Sequence, residues 1–67
     1  MKFEIVSKNG CYPCKTAIKH YSGIAERKGI ELIITKEHAE FWPYFYVHEN
    51  GNRRHVTRKE FSDLIER

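Results

Sequence analysis

Cys11 and Cys14 are the only thiols in a chain of 67 residues, and only Tyr12 and Pro13 separate them. Two thiols at that spacing meet at the first turn of a helix, where they can close and reopen a small disulfide ring. The other chemistry open to such a pair is metal binding. Zinc needs two further ligands, and His20, His38, His48 and His55 are available. None of these shows the H-x₃₋₅-H spacing of a zinc finger. No carboxylate pair, serine triad or phosphate-binding loop is present, so hydrolytic and nucleotide chemistries have no residues to carry them.

The thiols need elements to hold them. Lys2 to Val6 alternates, with Phe3 and Ile5 on one face and Lys2 and Glu4 on the other, which reads as a half-buried strand. Ser7 to Gly10 is a loop. From Cys14 the apolar positions Ala17, Ile18, Tyr21, Ile24 and Ala25 recur at helical spacing, and Gly29 supplies the stop. Ile30 to Ile34 is a second strand. A strand, a helix and a strand of these lengths imply parallel neighbours joined by a right-handed crossover. A CxxC at the first strand–helix junction of such a unit reads as a redox motif.

Tyr44 to His48 forms a third strand, and Asn50-Gly51 is a strong hairpin signal because both positions tolerate positive φ. A two-residue turn there pairs Phe45 with Val56, Tyr46 with His55, Val47 with Arg54 and His48 with Arg53. Thr57-Arg58-Lys59-Glu60 is a capping box, and Val56 with Phe61 can form a hydrophobic staple. Phe61, Leu64 and Ile65 give the last helix one apolar face. The expected architecture is one α/β domain over residues 1–67, with a four-stranded mixed sheet in βαβ-ββα order. Both helices cover the face built from Phe3, Ile5, Ile30, Leu32, Ile34, Phe45, Val47 and Val56.

A domain of this size buries only about 60% of the surface its unfolded chain exposes. A bridge across two intervening residues closes too small a loop to stabilise much, which favours a chemical role for the pair. One close pair also suits a reducing compartment. No apolar run is long enough to span a membrane, and the opening Met1-Lys2-Phe3-Glu4 lacks a signal-peptide core. The expected location is therefore the cytoplasm. The formal charge of +3 is mild. Acidic residues interleave with the basic ones, so no nucleic-acid partner is expected.

These features resemble the thioredoxin superfamily, and its glutaredoxin branch in particular. The resemblance rests on Lys8-Asn9-Gly10-Cys11-Tyr12-Pro13-Cys14, on Trp42-Pro43 before a hairpin, and on the closing helix. It departs from the branch in three ways. The middle pair is Tyr-Pro rather than Pro-Tyr. His55-Val56-Thr57-Arg58 stands where a Gly-Gly pair usually holds the γ-glutamyl end of glutathione. Thr35 to Phe41 leaves room for a turn where the family places a full second helix. Without that helix the second sheet face is uncovered, and Lys2, Glu4, Glu31, Tyr44, Tyr46, His48, Arg53 and His55 form a wet surface able to dock a partner.

The resemblance implies a thioredoxin-like fold and a thiol–disulfide oxidoreductase. Cys11 would be the exposed nucleophile and Cys14 the buried resolving thiol. Pro13 and Lys15 would tune the redox poise. Pro43 would be the family's cis-proline, presenting the Trp42 backbone to an extended substrate. Lys8, Tyr12, Trp42, Thr57 and Arg58 would contact substrate, with Arg58 and the N–H groups after Thr57 as an anion site. Disulfide-containing proteins or glutathione mixed disulfides would be the substrates of a monomer with no bound cofactor or metal. Glutathione or thioredoxin reductase would supply electrons. Two other readings compete: a redox-fold interaction protein working through the uncovered sheet face, and a CxxC/His zinc module.

Overall fold

The computed structural model describes residues 1–36 and 41–67. Six elements follow in order: β1 (Lys2–Val6), α1 (Tyr12–Lys28), β2 (Leu32–Thr35), β3 (Tyr44–Glu49), β4 (Asn52–Val56) and α2 (Arg58–Ile65). The four strands form one mixed sheet in the order β2-β1-β3-β4. β1 runs parallel to β2 and antiparallel to β3, and β3 is antiparallel to β4. This is a small α+β fold with a four-stranded mixed sheet and two helices.

The hairpin adopts the expected register. Phe45 lies opposite Val56, Tyr46 opposite His55, Val47 opposite Arg54 and His48 opposite Arg53. Asn50 and Gly51 take φ of 53° and 79°, as a two-residue turn that matches strand twist requires. Both helices cover one sheet face. Ala17, Tyr21, Ile24 and Ala25 of α1 and Phe61 and Ile65 of α2 are buried against Phe3, Ile5, Phe45, Val47 and Val56. Phe61 is the hub of this core. Its ring centroid lies 5.3 Å from Phe3, 5.0 Å from Tyr21 and 4.8 Å from Phe45. The Tyr21 and Ser62 hydroxyls bond across the two helices, and Lys28 Nζ donates to the Ile65 carbonyl at 3.2 Å, satisfying an end of α2 that has no helical partner.

Two local features, a strand boundary and a helix cap, differ from the expectation. β2 begins at Leu32 rather than Ile30 because Ile30 is used by the helix end. Gly29 is left-handed (φ 66°), and the N–H groups of Gly29 and Ile30 return to the carbonyls of Glu26 and Ala25. The capping box at α2 is half formed. Thr57 Oγ1 accepts the Glu60 N–H at 3.1 Å, whereas the Glu60 carboxylate accepts from Arg54 Nη1 at 2.7 Å. Among the described residues no helix is long and apolar enough to cross a membrane.

Candidate active site

The first strand ends at Val6, and a short loop carries the chain to the start of α1. Ser7 anchors that loop, with its N–H donating to the Thr35 carbonyl at 2.6 Å and its hydroxyl to the same oxygen at 3.3 Å. Gly10 (φ 80°) turns the chain, and Cys11 N–H donates to the Lys8 carbonyl at 3.2 Å. Cys11 is then the N-cap of α1 in extended backbone geometry (φ −84°, ψ 109°). Its Sγ accepts the Cys14 N–H at 3.1 Å. Sulfur thus takes the place that a hydroxyl or carboxylate oxygen holds at most helix starts. Cys11 and Cys14 are bonded as a disulfide, with Cα atoms 5.2 Å apart.

This start of α1 suits negative charge. Its first turn holds no acidic residue, and Lys15 follows at once. A 17-residue helix directs the positive end of its dipole and its unpaired N–H groups at the cap. After reduction, the N–H that now meets a disulfide sulfur would meet a thiolate. Pro13 lies in the first turn, where its missing N–H leaves no helical bond unmade.

The exposure of Cys11 corrects the expectation. Cys11 is 0% exposed and Cys14 is 1% exposed, so both sulfurs of the oxidised pair are buried. Spacing places a cysteine at a helix start but does not say what packs over it. Tyr12, between them in sequence, is 80% exposed.

The sheet register gathers several of the expected substrate residues at one end of the molecule. Val6, at the end of β1, lies opposite Tyr44 at the beginning of β3, and Phe45 lies opposite Val56 at the end of β4. Pro43 and Thr57 flank those positions, at the sheet end from which the chain leaves β1 towards Cys11. Pro43, Tyr44, His55, Thr57 and Arg58 line one surface groove there. The bond preceding Pro43 is trans, against the expectation of a cis-proline. The trans form is the ground state of an X-Pro bond by about 0.5–1 kcal/mol unless tertiary contacts reverse it. Trp42 beside it is half exposed, at 52%. Lys8 stacks its ammonium on the ring of Phe41, 3.7 Å from the centroid. Tyr12 and Lys15 line a different groove, along the outer side of α1. Of the expected set, Pro43, Thr57 and Arg58 thus share one groove and Tyr12 and Lys15 another, while Lys8 and Trp42 line neither.

The second sheet face is wet but not uniformly so. Tyr44 and Tyr46 are half-buried and His55 is exposed. His55 makes ring contacts with both tyrosines, and Arg53 lies 3.7 Å over the Tyr46 ring. Glu4 departs from the expected wet surface, since it is only 6% exposed. Its carboxylate accepts from Thr35 Oγ1 (2.7 Å), Arg53 Nε (2.9 Å) and Arg53 Nη2 (3.2 Å), and His48 Nε2 lies 2.7 Å from it. Burial raises the Glu4 pKa, but bonds from Arg53, Thr35 and His48 and the Arg53 charge outweigh it and hold the pKa at about 2. Alternation assigned Glu4 to this face correctly. The signal for its burial was an acid sharing that face with the cross-strand pair His48 and Arg53.

Neither Ser7 nor Phe41 was singled out from sequence, though one anchors the loop and the other carries Lys8. A serine in a polar loop and an aromatic in a short connection give no local sign of such contacts. His20 packs edge-on to Tyr21, His48 meets Glu4 and His55 sits with the tyrosines, while His38 lies outside the described residues. Among the described residues no group of three or more His, Cys, Asp or Glu side chains is placed to hold a metal ion. Compared with protein-family models, curated proteins and solved structures, the chain matches none.

Proposed function

We propose that this chain is a small thiol–disulfide oxidoreductase with a thioredoxin-like fold, similar in design to glutaredoxins. The observation that carries the reading is Cys11 as the N-cap of α1, its Sγ accepting the Cys14 N–H while bonded to Cys14. A purely structural bridge across two intervening residues would add little stability, whereas this placement favours a Cys11 thiolate on reduction. Helix starts and CxxC motifs lower a cysteine pKa from about 8.5 into the ~3.5–7.5 range.

In the cycle, the Cys11 thiolate attacks one sulfur of a substrate disulfide. A Cys11–substrate bond forms, the substrate S–S bond breaks, and the other substrate sulfur leaves as a thiolate. Cys14 loses its proton to solvent, and its thiolate attacks Cys11 Sγ. The Cys11–Cys14 bond forms, and the reduced substrate leaves with the electron pair. Two electrons and two protons, from two glutathione molecules or from thioredoxin reductase, restore the dithiol. Because both sulfurs are buried when oxidised, this restoring step would need a local opening over Cys11, which costs less than global unfolding. Pro43, Thr57 and Arg58 would line the substrate groove, and Lys8, Tyr12 and Trp42 would border the site. The chain would work in the cytoplasm as a monomer, without a bound cofactor.

The test is turnover of an insulin or glutathione mixed disulfide, run once with glutathione and glutathione reductase and once with thioredoxin reductase. Activity with either, lost in Cys11→Ser, is expected. Failure of the reduced native protein to react with iodoacetamide at Cys11 near pH 7, with normal labelling once unfolded, would overturn the reading. The burial of both sulfurs favours a second reading, in which Tyr44, Tyr46 and His55 dock a partner and the disulfide is inert. Partner binding unchanged in Cys11→Ser, with no turnover in the parent chain, would select it.

A further inference from the structure

The outer side of α1 carries charge that the thiol chemistry does not use. Lys15, Lys19, Gly23 and Arg27 recur every four residues, which stacks them along one side of the helix. With Tyr12 and His20 they line a single shallow groove. The groove begins at Tyr12, next to Cys11, and follows the helix for about 22 Å at roughly 1.5 Å per residue.

Three observations mark this row as more than a solvated face. Like charges four apart destabilise a helix by about 0.2–0.5 kcal/mol per pair, and a helical glycine is about 1 kcal/mol worse than alanine. The row contains both features. A Cβ at Gly23 would meet nothing nearer than Arg27 Nη1 at 3.7 Å, so packing does not demand the glycine. Arg53 and Arg54 pair with Glu4 and Glu60, and Lys28 bonds the end of α2. Lys15, Lys19 and Arg27, by contrast, have no ion pair or hydrogen bond through their side chains among the described residues. Glu26, the only acid of α1, lies in its final turn and does not line the groove.

We propose that this groove docks an acidic segment of the disulfide-bearing partner, so that the substrate class is a disulfide flanked by carboxylates. The proposal rests on the oxidoreductase reading for its disulfide and on the charge row for its acidic segment. An extended peptide advances about 3.3 Å per residue, and the helix about 1.5 Å. Carboxylates roughly two, four and seven positions from the attacked cysteine therefore come level with Lys15, Lys19 and Arg27. Charge of one sign steers such a partner in and orients it before bond exchange. A single-stranded nucleic acid fits less well. Such strands stack successive bases on aromatic side chains, and this groove offers Tyr12 at one end and His20 midway.

The experiment has two arms. In the first, a fluorescein-labelled peptide with glutamates at those positions and no cysteine is titrated with the oxidised protein, and anisotropy is read at 20 and 150 mM salt. Its glutamine counterpart and a DNA 12-mer are titrated alongside. In the second arm, kcat/KM is measured for glutamate-flanked and glutamine-flanked disulfide peptides. The glutamate peptides are expected to bind and turn over about tenfold better at low salt, with the advantage shrinking as salt screens it. Lys15→Glu/Lys19→Glu/Arg27→Glu should erase the preference, and Lys59→Glu should leave it. Gly23→Glu, which places a carboxylate in the groove while improving helix propensity, should weaken binding even if the triple variant does not fold. Equal results for the glutamate and glutamine peptides, or DNA binding as tight as the acidic peptide's, would overturn the proposal. Binding of the cysteine-free acidic peptide without any turnover would uphold the groove and remove the oxidoreductase reading.

Discussion

Two polar regions of this molecule treat charge in opposite ways. On the second sheet face, Glu4 is buried, and among the described residues its carboxylate is met by Thr35, His48 and Arg53, each a donor or a cation. At the start of α1, a buried sulfur pair meets the Cys14 N–H at a helix end that holds no acidic residue in its first turn, and both sulfurs are joined in a disulfide. The first region satisfies a permanent charge. The second, on the proposed reading, would meet a charge only after reduction. A polar group whose partners are all present contributes to stability. One whose surroundings suit a state it does not yet occupy is a candidate for chemistry.

Perturbing each region in turn should separate these roles. The largest expected effect is Cys11→Ser, which should reduce disulfide turnover to background. Its loss of stability should be at most about 2 kcal/mol by chain entropy for so short a loop, measured by urea unfolding of oxidised parent and variant. Glu4→Gln should do the reverse. It leaves Arg53 without its carboxylate and should lower unfolding free energy by about 3 kcal/mol, the order expected when one partner of a buried ion pair is removed, while turnover per folded molecule stays unchanged. Turnover falling with Glu4, or stability falling with Cys11 by more than the chain-entropy limit, would break the comparison.

The pH dependence sharpens the same contrast. Glu4 has a folded pKa of about 2 against an ordinary value of 4.5. Between those values the unfolded chain binds the proton and the folded one does not, so stability falls as pH falls. The Glu4 contribution should be complete above pH 4.5 and lost as pH passes down through 2. Thermal unfolding across that window should show the fall in the parent and lose this contribution in Glu4→Gln. The smallest effect belongs to a purely local contact. Thr57→Ala, removing the Oγ1 that caps α2, should cost about 1 kcal/mol, read as a small drop in urea midpoint. It also borders the proposed substrate groove, so a raised KM would accompany it if the groove receives substrate.

Much of the architecture was legible from local pattern. Alternation in Lys2–Val6, the helical spacing from Ala17 to Ala25 and the Asn50-Gly51 turn led to the right strands, helix and hairpin register, because each depends on residues close in sequence. The start of β2 was misread because Ile30 is claimed by the cap of α1 before it can join the sheet. Cys11 and Cys14 at the helix start were legible from spacing. The burial of Cys11, the pairing of Lys8 with Phe41 and the trans bond before Pro43 were not.

Sequence alone determined which side chains share a face and which thiol caps the helix, since helix and strand periods are properties of the local backbone. Tertiary structure alone decided how deeply Glu4 and the two sulfurs lie, and which cations are partnered and which are left to solvent. Burial and ion pairing add up contributions from atoms dozens of residues away. Arg53 and Glu4 meet only because β3 lies between their strands, and no pattern within either strand contains that fact.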